Sequence, residues 1–250
     1  MYRTNKKPNN RHREKYSVID VLKASVAVNN FNKGYIKDDV KLPEDNFQVS
    51  KIRNRNLVLS LLGENRLNSY GEQWEKKLIN LTVTDKDIKT ADDIVNHYEG
   101  KLFSAMGGKL DQYSESIWKV IGKEKCSIME IGLIASIPSA YLRDVKKESI
   151  EDRVLSECKD EYIGSVKDKV EGSVELLSSV YSRNYDSYIY SGIFNEKFLV
   201  TFWNGKKIAD KGETVNIKAK IKRLTESRFY PNAWETQLNY VKRTDGKLEE

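Results

Sequence analysis

Residues 198–226 read FLVTFWNGKKIADKGETVNIKAKIKRLTE, and their period decides how the C-terminal part of the chain is built. Within 215–222, apolar Val215, Ile217, Ala219 and Ile221 alternate with Asn216, Lys218, Lys220 and Lys222. Successive side chains of a strand point to opposite faces, so this alternation makes a strand with one face in a core and one in water. Residues 198–203 set Phe198, Val200 and Phe202 against Leu199, Thr201 and Trp203, and Asn204-Gly205 and Lys211-Gly212 supply turns. Upstream, residues 172–181 (GSVELLSSVY) place Val174, Leu176 and Val180 on one face, and 185–190 (YDSYIY) carry tyrosines on both. Turns fall at 182–184 and around Gly192 and Asn195, and a last strand falls within 234–242. Five short strands in roughly 80 residues predict a small antiparallel β-barrel; the OB-fold fits best, with an SH3-like barrel as the alternative.

Before Asp160 the period is helical. Ser17 reads as the cap of a helix with Val18, Val21, Leu22, Ser25 and Val26 on one face. Residues 47–62 are apolar mainly in their second half, and 70–81 carry Trp74, Leu78 and Leu81 at helical spacing. Thr90 reads as the cap of a helix with Ile94, Val95, Tyr98, Leu102 and Phe103 inward, ended by Gly107-Gly108. Residues 110–121 add Tyr113, Ile117 and Trp118; 127–137 read as a fully buried segment; Pro138 interrupts; and 139–158 read as a charged amphipathic helix. The expected class is therefore α+β: a basic tail over 1–16, a mainly α-helical domain over 17–158 and an OB-like five-stranded antiparallel barrel over 160–245.

The chain carries 43 Lys+Arg against 37 Asp+Glu, a net charge of +6, and its placement is uneven. Residues 1–16 hold six basic groups and one Glu, residues 17–160 hold 22 against 23, and the window 197–228 holds nine against Asp210, Glu213 and Glu226. A basic tail and a basic patch on the barrel point to a polyanionic partner. Apolar runs such as Leu57–Leu62 fall far short of the roughly 20 residues that span a bilayer, and no apolar h-region follows the basic start. Two cysteines, Cys126 and Cys158, make no disulfide framework. A cytoplasmic protein with no membrane partner is the expectation.

An oligonucleotide needs cations along its backbone path and flat rings on which bases stack. If Ile189 and Phe202 point into the barrel, then Tyr188, Tyr190 and Trp203 point outward, on the second and third strands where an OB-fold binds its ligand. Lys218, Lys220 and Lys222 form an outer row on the fourth strand, with Lys206, Lys207, Arg223 and Arg228 in the adjoining turns and the ring-rich Phe229, Tyr230 and Trp234 beyond. Lysines on a strand face also guard against aggregation, and tyrosines also cover small cores. The combination in one basic window favours binding. Arg3, Lys6, Lys7, Arg11, Arg13 and Lys15 add a generic, salt-sensitive contribution.

The segments YIGSVKDKVEGSVELLSSV, SYIYSG, FLVTFWNGKKIADKGETVNIKAKIKRLTE and WETQLNYVKR, from Tyr162 to Arg243, resemble a recurring OB-type module of phage and mobile-element proteins. The resemblance rests on Tyr162-Ile163-Gly164, Gly212-Glu213, Lys218 and Lys222. It implies the barrel and a role beside replication and recombination proteins, and it leaves residues 1–160 unassigned.

Enzyme signatures are weak. His12 and His97 form no zinc pattern with the cysteines, and Gly107-Gly108-Lys109 lacks the rest of a phosphate-loop frame. Asp85, Asp87, Asp92, Asp93 and Glu99 are candidate magnesium ligands for a nuclease, but Asp92 and Asp93 fall in the first turn expected for the Thr90 helix, where carboxylates favour the dipole. The leading expectation is a non-catalytic single-stranded DNA- or RNA-binding accessory protein with no cofactor and no metal. Its helical domain would contact replication or recombination proteins. A protein-interaction module and a metal-dependent nuclease are the alternatives.

Overall fold

Ser17 opens the first helix as its position predicts: its hydroxyl accepts the Asp20 amide at 3.4 Å. A computed structural model describes residues 14–41, 49–64, 70, 81–104 and 112–245. In chain order the helical part comprises β1 (Glu14–Ser17), α1 (Val18–Asn32), β2 (Val40–Lys41), β3 (Val49–Lys51), α2 (Asn54–Leu61), α3 (Asp85–Ser104), α4 (Gln112–Ile121), β4 (Lys125–Ser127), α5 (Ile131–Ile134) and α6 (Ile137–Glu157). Val18, Val21, Leu22, Ser25 and Val26 are all buried, and α1 packs with Leu57, Ile94, Ile117, Ile131 and Ile137 in one core. Lys33 ends α1 in the left-handed region (φ 56), followed by Gly34 (φ 133).

Three local expectations change. Helix α3 starts at Asp85, not Thr90, because Thr84 and Asp87 bond reciprocally: the Asp87 carboxylate accepts the Thr84 amide at 2.9 Å, and the Thr84 hydroxyl accepts the Asp87 amide at 3.3 Å. Thr90 instead donates back to the Lys86 carbonyl at 2.9 Å. Asp92 and Asp93 consequently lie about two turns into the helix, exposed, and the acids of the first turn are Asp85 and Asp87. Residues 127–137 are not one element: β4 ends at Ser127, whose amide and hydroxyl both donate to the Glu130 carboxylate, and short α5 follows. The two-stranded pairs β1–β4 and β2–β3 had no sequence signal, being two to four residues long. The tail expected over 1–16 is corrected at its end, where residues 14–16 lie in β1 paired with β4 and Tyr16 is buried. Residues 1–13, the Trp74–Leu78 part of 70–81 and the Gly107-Gly108 cap lie outside the described residues.

The barrel strands are β5 (Lys169–Ser182), β6 (Ser187–Phe194), β7 (Phe198–Asn204), β8 (Thr214–Glu226) and β9 (Trp234–Arg243). They close in the order β5-β6-β7-β9-β8. Every pair is antiparallel except β7–β9, which runs parallel from Leu199↔Glu235 to Phe202↔Leu238. The barrel is therefore mixed rather than wholly antiparallel. Its last strand inserts between β7 and β8 and closes it with the Greek-key order of an OB-like fold. Inside lie Val174, Leu176, Tyr190, Phe202, Ile217 and Ile221, and the loop after β7 adds Ile208 and Ala209.

At Gly192 two strands come unusually close. β5 shifts register between Leu176 and Ser178, opposite Gly192, and a Cβ there would stand 2.5 Å from the Glu175 carbonyl oxygen. Leu177, at that irregularity, packs in a second cluster with Val154, Ile193, Leu199, Tyr230 and Ala233, against which Ile150 and Cys158 rest. The second half of α6 thus belongs with the strands. By contacts the chain divides into Met1–Asp144 and Val145–Glu250, inside α6, whereas the sequence period changes near Asp160.

Candidate nucleic-acid interface

The turn at 195–197 sets the register of β6 and β7, and register decides which side chains face outward. Tyr190 pairs with Phe202 and Ile189 with Trp203. Partners directly opposite on antiparallel strands share a face. Phe202 is fully buried, so Tyr190 is buried with it at 0% exposure, the two rings stacked 4.9 Å apart. The expected outward Tyr190 is thus corrected. Its hydroxyl accepts the Ile208 amide at 2.8 Å, which lets a tyrosine sit in the barrel without an orphaned polar atom. Tyr188 is half-buried and leans on the same core, and Ile189 takes the outer position assigned to its neighbours.

Trp203 does face out, 43% exposed. Tyr185, in the β5–β6 turn, meets its indole edge-on at 4.8 Å. Beside it a groove of about 210 Å³ runs over β6, β7, β9 and β8 to the β8–β9 loop. Ile189, Thr201 and Trp203 line one side, Arg223, Arg228 and Phe229 the other. Glu235 lies buried in the same groove, held by the Thr201 hydroxyl at 2.6 Å and the Ser227 hydroxyl at 2.8 Å. Both its oxygens are engaged by hydroxyls, and the guanidinium groups of Arg223 and Arg228 line the same groove.

The predicted cations separate into two sets. On β8 the register shifts between Ile221 and Arg223, so Lys222 and Arg223 are exposed in succession, and Arg223 lies opposite Gln237 of the groove. Lys220 is half-buried, across from Asn239 on one side and Lys169 on the other. Lys218 is spoken for: its ammonium pairs with Glu171 at 2.8 Å. Lys206 and Lys207 lie in the β7–β8 loop, Lys207 paired with Asp210 at 2.7 Å. Trp203, Arg223 and Arg228 are thus brought into one site. Tyr188, Tyr190, Lys206, Lys207, Lys218, Lys220 and Lys222 are not among its lining residues.

Sequence reasoning placed Ile189 inside the barrel, whereas it lines the groove, and gave Tyr185 and Lys169 no role. For Tyr185 a signal existed, since an aromatic residue inside a tight polar turn has no core to cover. Among the described residues no three His, Cys, Asp or Glu side chains form a group able to hold a metal. Asp85, Asp92, Asp93 and Glu99 stand exposed on α3, while Asp87 is buried and accepts the Asn30 amide at 2.8 Å.

Compared with protein-family models, curated proteins and solved structures, the chain matches none. Of the resemblance drawn from 162–243, the barrel is what the structure shows. No helix among the described residues is long and apolar enough to cross a membrane.

Proposed function

We propose that the barrel binds single-stranded nucleic acid across the outer face of β6 and β7. The observation that carries this reading is the solvent-exposed Trp203–Tyr185 pair standing beside Arg223 and Arg228 in one groove. Trp203 stacks a base, Phe229 and Tyr185 bound the path in the two loops, and Arg223, Arg228, Lys222 and Lys220 follow the phosphates. The β5–β6 and β8–β9 loops that supply Tyr185 and Phe229 are those that flank the ligand in OB-folds generally. On this reading the protein is a non-catalytic accessory factor wherever single strands are exposed, as in replication and recombination.

Anisotropy of a labelled oligo-dT, titrated at two salt concentrations, tests it. Trp203→Ala should cost about 1–3 kcal/mol of binding, the worth of one stacked base. Arg223→Ala with Arg228→Ala should flatten the dependence of log affinity on log salt by about 1.4, two phosphate contacts on a single strand. Lys218→Ala should matter little, because Glu171 already neutralises it. No binding at low salt, or binding indifferent to both groove variants, refutes the proposal.

A further inference from the structure

A second groove lies wholly in the helical unit, between residues 29 and 143, and encloses about 970 Å³. Its walls come from the end of α1, the segment after it, α4, α5 and the start of α6. Three cations line it, Lys33, Lys37 and Arg143, and no Asp or Glu does. Among the described residues none of the three is in an ion pair. Elsewhere in the same unit exposed cations do find carboxylates: Lys101 pairs with Asp144 at 2.7 Å, Lys119 with Glu115 at 2.6 Å and Lys123 with Glu130 at 2.6 Å. At this groove three such cations stand together, with no carboxylate in the lining among the described residues.

A buried polar group points to the same place. Asn29 lines the groove yet is only 4% exposed, and its Oδ1 accepts the Ser139 hydroxyl at 2.6 Å. Its amide nitrogen has no protein acceptor among the described residues and is not fully buried, so it opens onto the groove. Ser136 and Ser139 bring the first turn of the 21-residue α6 to the same groove, adding the positive end of a helix dipole. Tyr35 and Tyr113 supply two rings, and the Tyr113 hydroxyl bonds that of Ser136 at 2.8 Å.

Cations, an amide open to the groove and a helix start, all electropositive, next to flat rings define a ligand that is anionic at one end and planar at the other. We infer that this groove binds a nucleoside phosphate, either a free nucleotide or the phosphorylated end of a strand. Lys33, Lys37, Arg143 and the Asn29 amide take the phosphate oxygens, and the base lies against Tyr35 and Tyr113. The site is independent of the barrel groove and does not rest on it.

The test uses the full chain and two probe pairs: adenosine 5′-monophosphate against adenosine, and 5′-phosphorylated against 5′-hydroxyl oligo-dT. Saturable binding that requires the phosphate in the first pair identifies the free nucleotide as the ligand. A preference of at least about tenfold for the phosphorylated strand in the second pair identifies the strand end. In either case Lys37→Glu with Arg143→Glu should abolish the phosphate preference while Trp203→Ala leaves it intact. Arg143→Gln, which keeps most of the stem, should weaken it about tenfold and serves should the charge reversals disturb folding. Absence of any phosphate preference in both pairs, or a preference that survives these substitutions, overturns the inference.

Discussion

Gly192→Ala adds one methyl group where the barrel has no room for it. The new Cβ would sit 2.5 Å from the Glu175 carbonyl oxygen and 2.6 Å from Val174 Cγ1. The backbone angle at Gly192 is one that alanine adopts freely, so the whole penalty is steric. A flexible side chain tip could swing away, but a carbonyl of the neighbouring strand moves only with that strand. Overpacking costs typically about 1–3 kcal/mol, and a backbone obstacle puts this case near 3. The matching control is Gly205→Ala in the same barrel, where nothing lies within 4 Å. There the loss of unfolded-chain freedom should leave the protein unchanged or more stable by up to about 1 kcal/mol. Hydrogen exchange read by mass spectrometry on peptides from β6 and β7 isolates the barrel from the helical unit. At about 1.4 kcal/mol per factor of ten, Gly192→Ala should lower protection there by about two powers of ten. Protection equal to wild type, or equal to Gly205→Ala, would show that the strands do not approach as described.

Two further outcomes follow from titrating groups. Burial pushes the Glu130 carboxyl up, but the Lys123 ammonium and the Ser127 amide and hydroxyl together pull it below the ordinary 4.5. Its stabilising effect is therefore full above that pH and fades as pH falls through the lower folded value. Glu130→Gln should cost about 1–3 kcal/mol at pH 7 in urea unfolding, with the gap to wild type closing below about pH 4.5; a gap that persists in acid refutes this. The half-buried Cys158 thiol is pushed up to about 11, chiefly by burial and then by the Glu157 carboxylate. At pH 8 its alkylation by iodoacetamide should be about a hundredfold slower than that of an ordinary thiol, and a rate near that of free cysteine would contradict the packing around it.

The β8 strand was legible because its two faces differ in kind. Val215, Ile217, Ala219 and Ile221 are buried, and Asn216, Lys218 and Lys222 are exposed. On β6 the same reading failed for a physical reason. Ile193 is buried on the outer face under α6 and the β8–β9 loop, so both faces of Ser187–Phe194 are apolar and alternation carries no sign. The hairpin turn at 195–197, the Asn195 part of the expected turn, orients that strand, and reading Ile189 as inward puts Tyr188 and Tyr190 on the wrong side. Trp203 survived because its own strand pairs it with Ile189 rather than with the core. The groove in the helical unit was illegible, since Arg143 lies about a hundred residues along the chain from Lys33 and Lys37 and meets them only in the fold.

Closure of the barrel through the parallel β7–β9 pair has a consequence for recognition. An open sheet offers a row of unpaired amides and carbonyls to which an extended peptide can add as one more strand. Here β5 and β8 pair on the far side of the ring over 169–175 and 214–220, so neither strand lies open along its whole length, and single-sided backbone is confined to short stretches such as 178–182 and 221–226. Recognition by strand addition is thereby restricted to those short stretches. On the proposed reading, affinity at the barrel surface comes chiefly from side chains, so a single substitution such as Trp203→Ala should weaken binding without loosening the sheet that displays it.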